Sequence, residues 1–167
     1  YRLIVKEGKN HKLSHCGSHA MDTMRMESGF LHWGHDISPE ENQYEAGLSF
    51  AISYKKEPNF IGKENLLKLK EKKHNRRFVM LSLIESKAGN PLLLHEEPIY
   101  LNDKIIGRTT SGNYSFNYKK NLSFGYISSI HSNEELSKMD LYIEVAKQKF
   151  SALVEITPLK DKQARFL

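Results

Sequence analysis

The sequence predicts an α+β protein in which a partly helical first region precedes a small antiparallel β-barrel. Before about residue 75, apolar residues recur with helical spacing in two segments. After it, short apolar runs alternate with turn residues at intervals typical of all-β domains. A chain of 167 residues, 39% of them hydrophobic, can bury a core of its own. We therefore predict two regions, residues 1–75 and 76–167.

The first region begins with a run, residues 1–5, that is compatible with either a helix or a strand. Residues 17–29 have a helical pattern, in which Asp22 and Arg25 are spaced for a local ion pair. Gly29 is a suitable end for this helix, since glycine is favoured just beyond a helix C-terminus.

Further elements are predicted before the barrel. Residues 38–41 suit a turn or a short helix start, with Ser38 and Glu41 at the spacing of a capping box. A strand is predicted over residues 45–52 from the alternation of three apolar residues, Leu48, Phe50 and Ile52. A short helix is predicted over residues 64–72. Three leucines are expected to face inward from it: Leu66, Leu67 and Leu69.

The second region contains strand-like runs separated by Gly, Asn, Ser and Lys. The predicted strands are residues 78–81, 99–101, 105–106, 124–127, 141–145 and 150–156. A turn at Asn102 and Asp103 joins the second and third as a hairpin. Five or six strands at this spacing indicate an antiparallel barrel or a sandwich.

The net charge, the apolar runs and the cysteine count limit the kinds of partner and compartment that are expected. A net charge of +5 mildly favours an anionic partner, although a solvated, lysine-rich surface explains it better. No apolar run approaches the roughly 18 residues of a membrane helix. With Cys16 as the single cysteine, no internal disulfide is possible, which favours a reducing compartment.

One cluster has residue types found in metal sites. Three histidines are spaced four residues apart, with the cysteine between them: His11, His15, Cys16 and His19. These are zinc ligands. However, Ser14 and Gly17 weaken any helix there, and no carboxylate or second cysteine completes the set. We therefore favour surface histidines and predict no metal site.

A second cluster combines aromatic, imidazole and carboxylate groups: His32, Trp33, His35 and Asp36. A histidine beside a carboxylate can act as a general base, and a tryptophan can stack on a flat heterocycle. From composition alone, packing of a buried Trp33 and capping or hydrogen bonding by the histidines are the favoured explanation. Arg25 and Glu27 could clamp a ligand, but a role in bracing the helix is favoured.

A nucleic-acid interface is the weaker alternative. Aromatic residues alternate with polar ones and end in two lysines along one segment: Tyr114, Phe116, Tyr118, Lys119 and Lys120. A barrel with such a loop could bind single strands. We consider this unlikely because the basic residues are spread over the chain rather than clustered.

Read in order, short motifs resemble the C-terminal part of the glycine cleavage T-protein family. They are Ala20–Gly29, which is similar to A-x-D-S-L-R-L-E-x-G, then Trp33–Ile37, Glu45–Leu48, Phe60–Glu64, Arg76–Arg77, Pro98–Tyr100, Ile106–Gly107, Thr110–Gly112 and Phe124–Ile127. No single motif is specific, but their common order is. Trp33, His32 and Pro98–Tyr100 look more like the T-protein-like half of dimethylglycine and sarcosine dehydrogenases.

The resemblance implies a folate-binding α/β region, present here only in part, followed by the barrel. It implies one-carbon transfer from an aminomethyl or N-methyl donor to tetrahydrofolate. FAD would belong to an upstream domain, and the partners would be folate and a small amine. The family's catalytic aspartate and its Tyr-Thr-Gly-Glu-x-Gly segment precede the matched residues. We therefore expect no catalytic residue here and no activity from these residues alone, and we keep a non-catalytic folate- or partner-binding module as the alternative.

By the same resemblance, three residues are predicted to contact folate: Met21, Trp33 and Arg165. Met21 stands where the family has a folate-binding arginine, which is a departure from the pattern. Four residues are predicted to support the site: Arg25, Glu27, His35 and Asp36. An incomplete folate region should expose apolar surface and favour self-association. The resemblance suggests the cytoplasm, or the mitochondrial matrix in a eukaryote.

Overall fold

The second region is a closed six-stranded antiparallel barrel. The computed structural model describes residues 1–128, 131–136 and 138–155. Its strands are β1 (Arg76–Leu83), β2 (Pro98–Leu101), β3 (Lys104–Ser115), β4 (Lys120–Ser128), β5 (Leu141–Val145) and β6 (Gln148–Glu155). They pair in the order β1-β4-β3-β2-β5-β6, and β6 returns to β1. The predicted antiparallel β-barrel is thus confirmed, and the sandwich alternative is wrong.

Close backbone contact between β3 and β4 requires glycine. A Cβ atom added to Gly107 would lie 1.9 Å from the carbonyl oxygen of Tyr126, and one added to Gly125 would lie 2.5 Å from that of Arg108. The register between these strands shifts between Thr109 and Ser111, which bends the ribbon as the barrel closes. No side chain would fit between the strands at these two positions.

The predicted hairpin turn is confirmed between β2 and β3. Asn102 and Asp103 have φ values of 47° and 62°, as two-residue hairpin turns of this hand require. The Asp103 carboxylate accepts hydrogen bonds from the Tyr142 hydroxyl and the Lys149 ammonium group, each at 2.7 Å. The turn is therefore tied to the neighbouring β5–β6 ribbon.

The first region is mostly helix and turn. Its helices are α1 (Arg2–Gly8), α2 (Ser18–Glu27) and α3 (Lys63–Glu71), with short 3-10 helices at Lys9–His11 and Ser49–Ala51. A four-residue helix, α4 (Asn133–Leu136), lies between β4 and β5. The predicted helix over 17–29 is confirmed, as is its ion pair, with Arg25 Nε 2.8 Å from Asp22 Oδ1. The opening run is helical.

The strand predicted over residues 45–52 is wrong. The Asn42 side chain accepts hydrogen bonds from the backbone N–H groups of Tyr44 and Glu45 and so holds a turn. Gly47 has a φ of 71°, and the 3-10 helix follows. The Glu41 carboxylate accepts hydrogen bonds from the Ser38 backbone N–H and hydroxyl, and these bonds close the turn that was one of the two predicted alternatives.

The two regions differ sharply in how much apolar surface they bury. Among the described residues, eleven side chains form the main barrel core, and Leu81, Ile99 and Ile143 are fully buried in it. By contrast α1 and α3, both described in full, contain no buried residue. Leu67 of α3 is exposed, contrary to the prediction that it faces inward. The stability of the first region therefore depends on contacts with the barrel.

The helices that the structure describes include none with the length and apolarity needed to cross a membrane.

Candidate functional site

A buried carboxylate fastens the loop after α2 to the barrel. Asp36 is 1% exposed, and its oxygens accept hydrogen bonds from Arg25 Nη1 at 2.7 Å and from the His32 backbone N–H at 2.8 Å. They also accept bonds from the hydroxyls of Thr110 and Ser111, at 2.5 and 2.7 Å. A buried charge is tolerated only when it is paired and hydrogen-bonded in this way.

Arg25 joins the helix, the loop and the barrel. Besides Asp36 and Asp22, its guanidinium donates to Ser111 Oγ at 2.9 Å and to the carbonyl oxygen of Phe30 at 3.2 Å. The guanidinium therefore bonds to groups of helix α2, of the following loop and of strand β3. They fix the direction in which the chain leaves α2.

A second buried carboxylate makes a similar connection at the other end of the α2–β3 contact. Glu27 is 5% exposed and accepts hydrogen bonds from Ser115 Oγ and Asn117 Nδ2, both at 2.6 Å. Beside it, Met26 packs with Phe124 and Met80 against the outer face of the barrel. Helix α2 is thus held by both polar and apolar contacts.

The segment after the loop is attached to the start of β1. Arg76 forms ion pairs with Glu41 at 2.9 Å and with Glu45 at 3.6 Å. Although burial opposes ionisation, hydrogen bonds from Ser38 and the charge of Arg76 lower the pKa of the Glu41 carboxyl below its ordinary value. The Tyr126 hydroxyl donates to the Asp36 carbonyl at 2.8 Å, and burial raises the pKa of Tyr126.

These connections frame a cavity of about 590 Å³ between the loop, the turn around residue 47 and one end of the barrel. Its walls comprise Ser28, Gly29, Phe30, Leu31, Ile37, Ala46, Gly47, Leu48, Phe50, Arg77, Phe78, Val79, Met80, Phe124, Val154 and Glu155. Most of this wall is apolar or aromatic. Phe50 is 84% exposed and Phe30 is 67% exposed, so aromatic surface faces solvent on one side. Concave apolar sites with a few polar groups are typical of small-molecule binding.

Two charged residues contribute to the wall of this cavity. Burial lowers the pKa of the half-buried Arg77 guanidinium. The Glu155 carboxylate accepts a hydrogen bond from Ser82 Oγ at 2.6 Å and lies 4.0 Å from Lys120 Nζ. Among the described residues, the cavity wall therefore combines apolar and aromatic surface with one residue of each charge.

Two of the residues predicted to contact folate, Met21 and Trp33, do not line this wall. Trp33 is 66% exposed, and its backbone forms a bridge with Ile37, which does line the cavity. Met21 is 59% exposed on α2. Arg165 lies outside the described residues. His35 is exposed and lies beside His32, with 4.7 Å between the ring centroids.

Sequence reasoning missed Phe30, Phe50 and Arg77 as wall residues. The sequence predicts a strand at Phe50, and that strand does not form. The three residues are separated along the chain and meet only through the loop and the start of β1, so no local pattern could have grouped them.

The histidine cluster near the N-terminus does not lie on one helix. Lys12 adopts a left-handed conformation with φ of 56°, which ends the 3-10 helix at His11 before His15 and His19. Within the described residues, no group of three or more His, Cys, Asp or Glu side chains is arranged to hold a metal ion.

Comparison with known proteins gives matches on both sides of residue 75. The family profile described as "GCVT N-terminal domain" matches residues 1–56, and the one described as "Glycine cleavage T-protein C-terminal barrel domain" matches residues 76–161. The crystal structure of the glycine cleavage system aminomethyltransferase T from Bartonella henselae has a TM-score of 0.78 with 21% identity. It covers 94% of this chain and 42% of that one, and it establishes similarity of fold.

Curated relatives are similar over most of this chain. Human mitochondrial dimethylglycine dehydrogenase is 34% identical over 87% of it, and 4-methylaminobutanoate oxidase (formaldehyde-forming) from Paenarthrobacter nicotinovorans is 34% identical over 98%. Aminomethyltransferase from Listeria welshimeri is 35% identical over 95%. The chain spans 16%, 19% and 41% of the lengths of these proteins.

Proposed function

Because this chain belongs to the glycine cleavage T-protein family, we propose that it provides the barrel and one wall of the folate site in a tetrahydrofolate-dependent aminomethyltransferase or demethylase. Folate, when bound, supplies the nitrogen that accepts a one-carbon unit from an aminomethyl or N-methyl donor. These residues are proposed to bind and orient the folate. The rest of the site would come from segments that match the remaining length of the relatives.

The aromatic cavity is the observation that carries this proposal. Its volume of about 590 Å³ is in the range of small-molecule sites. A reduced pterin or aminobenzoyl ring is flat and can stack on the exposed faces of Phe30 and Phe50. The walls present in this chain therefore fit one side of a folate.

Trp33 is proposed to extend this wall. It lies in the same loop as Phe30 and Ile37, and that loop is anchored through the buried Asp36. A ligand longer than the cavity could continue onto the indole. We further propose that Met21 makes an uncharged contact and that Arg165 meets the glutamate moiety. Arg25, Glu27, His35 and Asp36 would act as positioning residues.

The names of the relatives suggest the one-carbon donor and the cell compartment. Two of them are named for the oxidation of N-methyl amino acids, which favours an N-methyl donor and FAD bound by other parts of the protein. The human relative is named as mitochondrial, so we propose the matrix in a eukaryote and the cytoplasm otherwise. The exposed apolar side chains of the first region would be covered in the full-length protein or by self-association.

The proposal is tested by measuring tetrahydrofolate binding to the full-length protein by titration calorimetry under anaerobic conditions. Phe50→Ala should weaken binding about tenfold, because aromatic stacking and the burial of one ring together contribute on the order of 1–2 kcal/mol. Phe116→Ala is the matched control, since Phe116 is 71% exposed and lies outside the cavity wall. Equal affinity of both variants and the wild type would remove the cavity from the folate site.

A second measurement separates an enzyme from a binding module. The full-length protein is incubated with an N-methyl amino acid, an electron acceptor and tetrahydrofolate, and folate carrying the one-carbon unit is detected by mass spectrometry. Binding without this product would support the non-catalytic module.

A further inference from the structure

A small cleft beside the loop after α2 is lined by half of the histidines in the chain. Its volume is about 160 Å³, and four of the eight histidines contribute to its wall: His19, His32, His35 and His95. They come from helix α2, from the loop after it and from the connection between β1 and β2. We infer that His32 and His35 together bind a divalent transition metal ion such as Zn²⁺ or Cu²⁺ in this cleft. The proposed folate site is not involved, because none of the four histidines lines the aromatic cavity.

The two imidazoles already lie side by side. The ring centroids of His32 and His35 are 4.7 Å apart, and the ring planes are inclined by 31°. Two imidazoles that share one ion, with metal–N bonds of about 2.0–2.1 Å, have their centroids roughly 4.5–5.5 Å apart. Both side chains are exposed, and among the described residues neither imidazole forms a hydrogen bond. Their ring nitrogens are therefore available to a ligand.

The backbone that carries the pair is held in one conformation. The His32 N–H donates to Asp36 Oδ2 at 2.8 Å, and the His32 carbonyl accepts from the N–H groups of His35 at 3.2 Å and of Asp36 at 2.8 Å. The Asp36 carboxylate is bonded in turn to the hydroxyls of Thr110 and Ser111 on β3. An ion would therefore meet a pair whose backbone is ordered in advance, which lowers the entropic cost of binding.

The charges around the cleft do not oppose a cation. Arg25 lines the cleft, but its guanidinium lies 2.8 Å from the Asp22 carboxylate and 2.7 Å from that of Asp36, so two negative charges face one positive charge. Imidazole nitrogen suits Zn²⁺, Cu²⁺ and Ni²⁺, whereas Mg²⁺ prefers oxygen ligands. Within the described part of the chain, no third His, Cys, Asp or Glu side chain completes the group. Water is therefore expected at the remaining coordination positions.

The experiment is titration calorimetry of metal ions into the full-length, tag-free protein after treatment with a chelator. Zn²⁺ and Cu²⁺ should bind, Cu²⁺ more tightly, and Mg²⁺ should not. His32→Ala and His35→Ala should each weaken Zn²⁺ binding at least about tenfold, because each removes one of two ligands. His11→Ala is the matched control, since His11 is an exposed histidine outside the cleft, and its affinity should stay within about twofold of the wild type. His95→Ala should change the affinity less than about threefold, because His95 lines the cleft without completing the group.

Copper provides an independent readout of the ligands. The electron paramagnetic resonance spectrum of the Cu²⁺ complex should show coupling to two imidazole nitrogens in the wild type and to one in His35→Ala. Unchanged Zn²⁺ affinity in His32→Ala and His35→Ala, or an equal loss in His11→Ala, would refute the pair as ligands. A loss in His95→Ala as large as that in His35→Ala would place the ion across the cleft and overturn the two-ligand site. If the wild type binds neither ion, there is no metal site, while tetrahydrofolate binding by the same protein still tests the proposed function separately.

Discussion

Replacing Arg25 with alanine should destabilise the fold rather than act on ligand binding alone. The substitution removes the guanidinium that contacts Asp36, Asp22 and Ser111. Asp36 is 1% exposed, so its carboxylate would remain buried without its cationic partner. Breaking a buried pair in this way typically costs 3–5 kcal/mol.

The structure places the expected loss near the lower end of that range. Asp36 would keep hydrogen bonds from the His32 backbone and from the hydroxyls of Thr110 and Ser111. The Arg25 side chain is itself 15% exposed, so some of its pairing energy is already screened by water. We expect a loss of about 3 kcal/mol, which corresponds to a fall in Tm of roughly 6–12 °C for a protein of this size.

The assay is urea and thermal unfolding followed by circular dichroism, with Arg108→Ala as the control. Arg108 pairs with Glu96 at 3.1 Å, but both side chains are more than half exposed, and such pairs are worth at most about 1 kcal/mol. If Arg25→Ala costs no more than Arg108→Ala, the bracing role of Arg25 is refuted. A double-mutant cycle with Asp36→Asn then measures the coupling directly.

Two further predictions concern the barrel and its attachment. Gly107→Ala should destabilise the protein by at least about 3 kcal/mol, because a Cβ at this site would lie 1.9 Å from a backbone oxygen of the neighbouring strand. Chemical denaturation measures this. The control is Gly17→Ala, whose Cβ would meet nothing within 4 Å and which should cost no more than about 1 kcal/mol, as the N-cap of α2. Since the pKa of the Glu41 carboxyl is lowered in the folded state, its contribution to stability is present above its ordinary pKa of 4.5 and is lost as the pH falls through the lower, folded value. Unfolding midpoints measured between pH 6 and 3 should therefore fall more steeply for the wild type than for Glu41→Gln, and parallel profiles would contradict the shift.

Sequence patterns predicted the elements whose interactions are local. The ion pair between Asp22 and Arg25 spans three residues, and the turn at Asn102 and Asp103 spans two. Oppositely charged residues three positions apart on a helix, and Asn-Asp between two apolar runs, each favour one local structure strongly. The strands of the barrel followed from alternation and turn residues, although their closure in a ring could not be separated from a sandwich.

The candidate site depends on contacts that no local pattern contains. Phe50 alternates with two other apolar residues, which suggested a strand, but the Asn42 side chain and Gly47 turn the chain before one can pair. The result is an exposed aromatic ring at the mouth of the cavity. Arg77 and Glu155 are brought to it by the barrel, 78 positions apart in the sequence.

The ring of strands also fixes an order of events during biosynthesis. One neighbour of β1 is β6, where Met80 pairs with Glu155, so the barrel cannot close until β6 has been translated. The first region, which packs against the barrel, is synthesised before it. Its apolar side chains such as Phe30, Phe50 and Trp33 are then exposed to solvent while the barrel is still incomplete. Apolar surface that is exposed in this way before folding is complete makes a chain prone to aggregation.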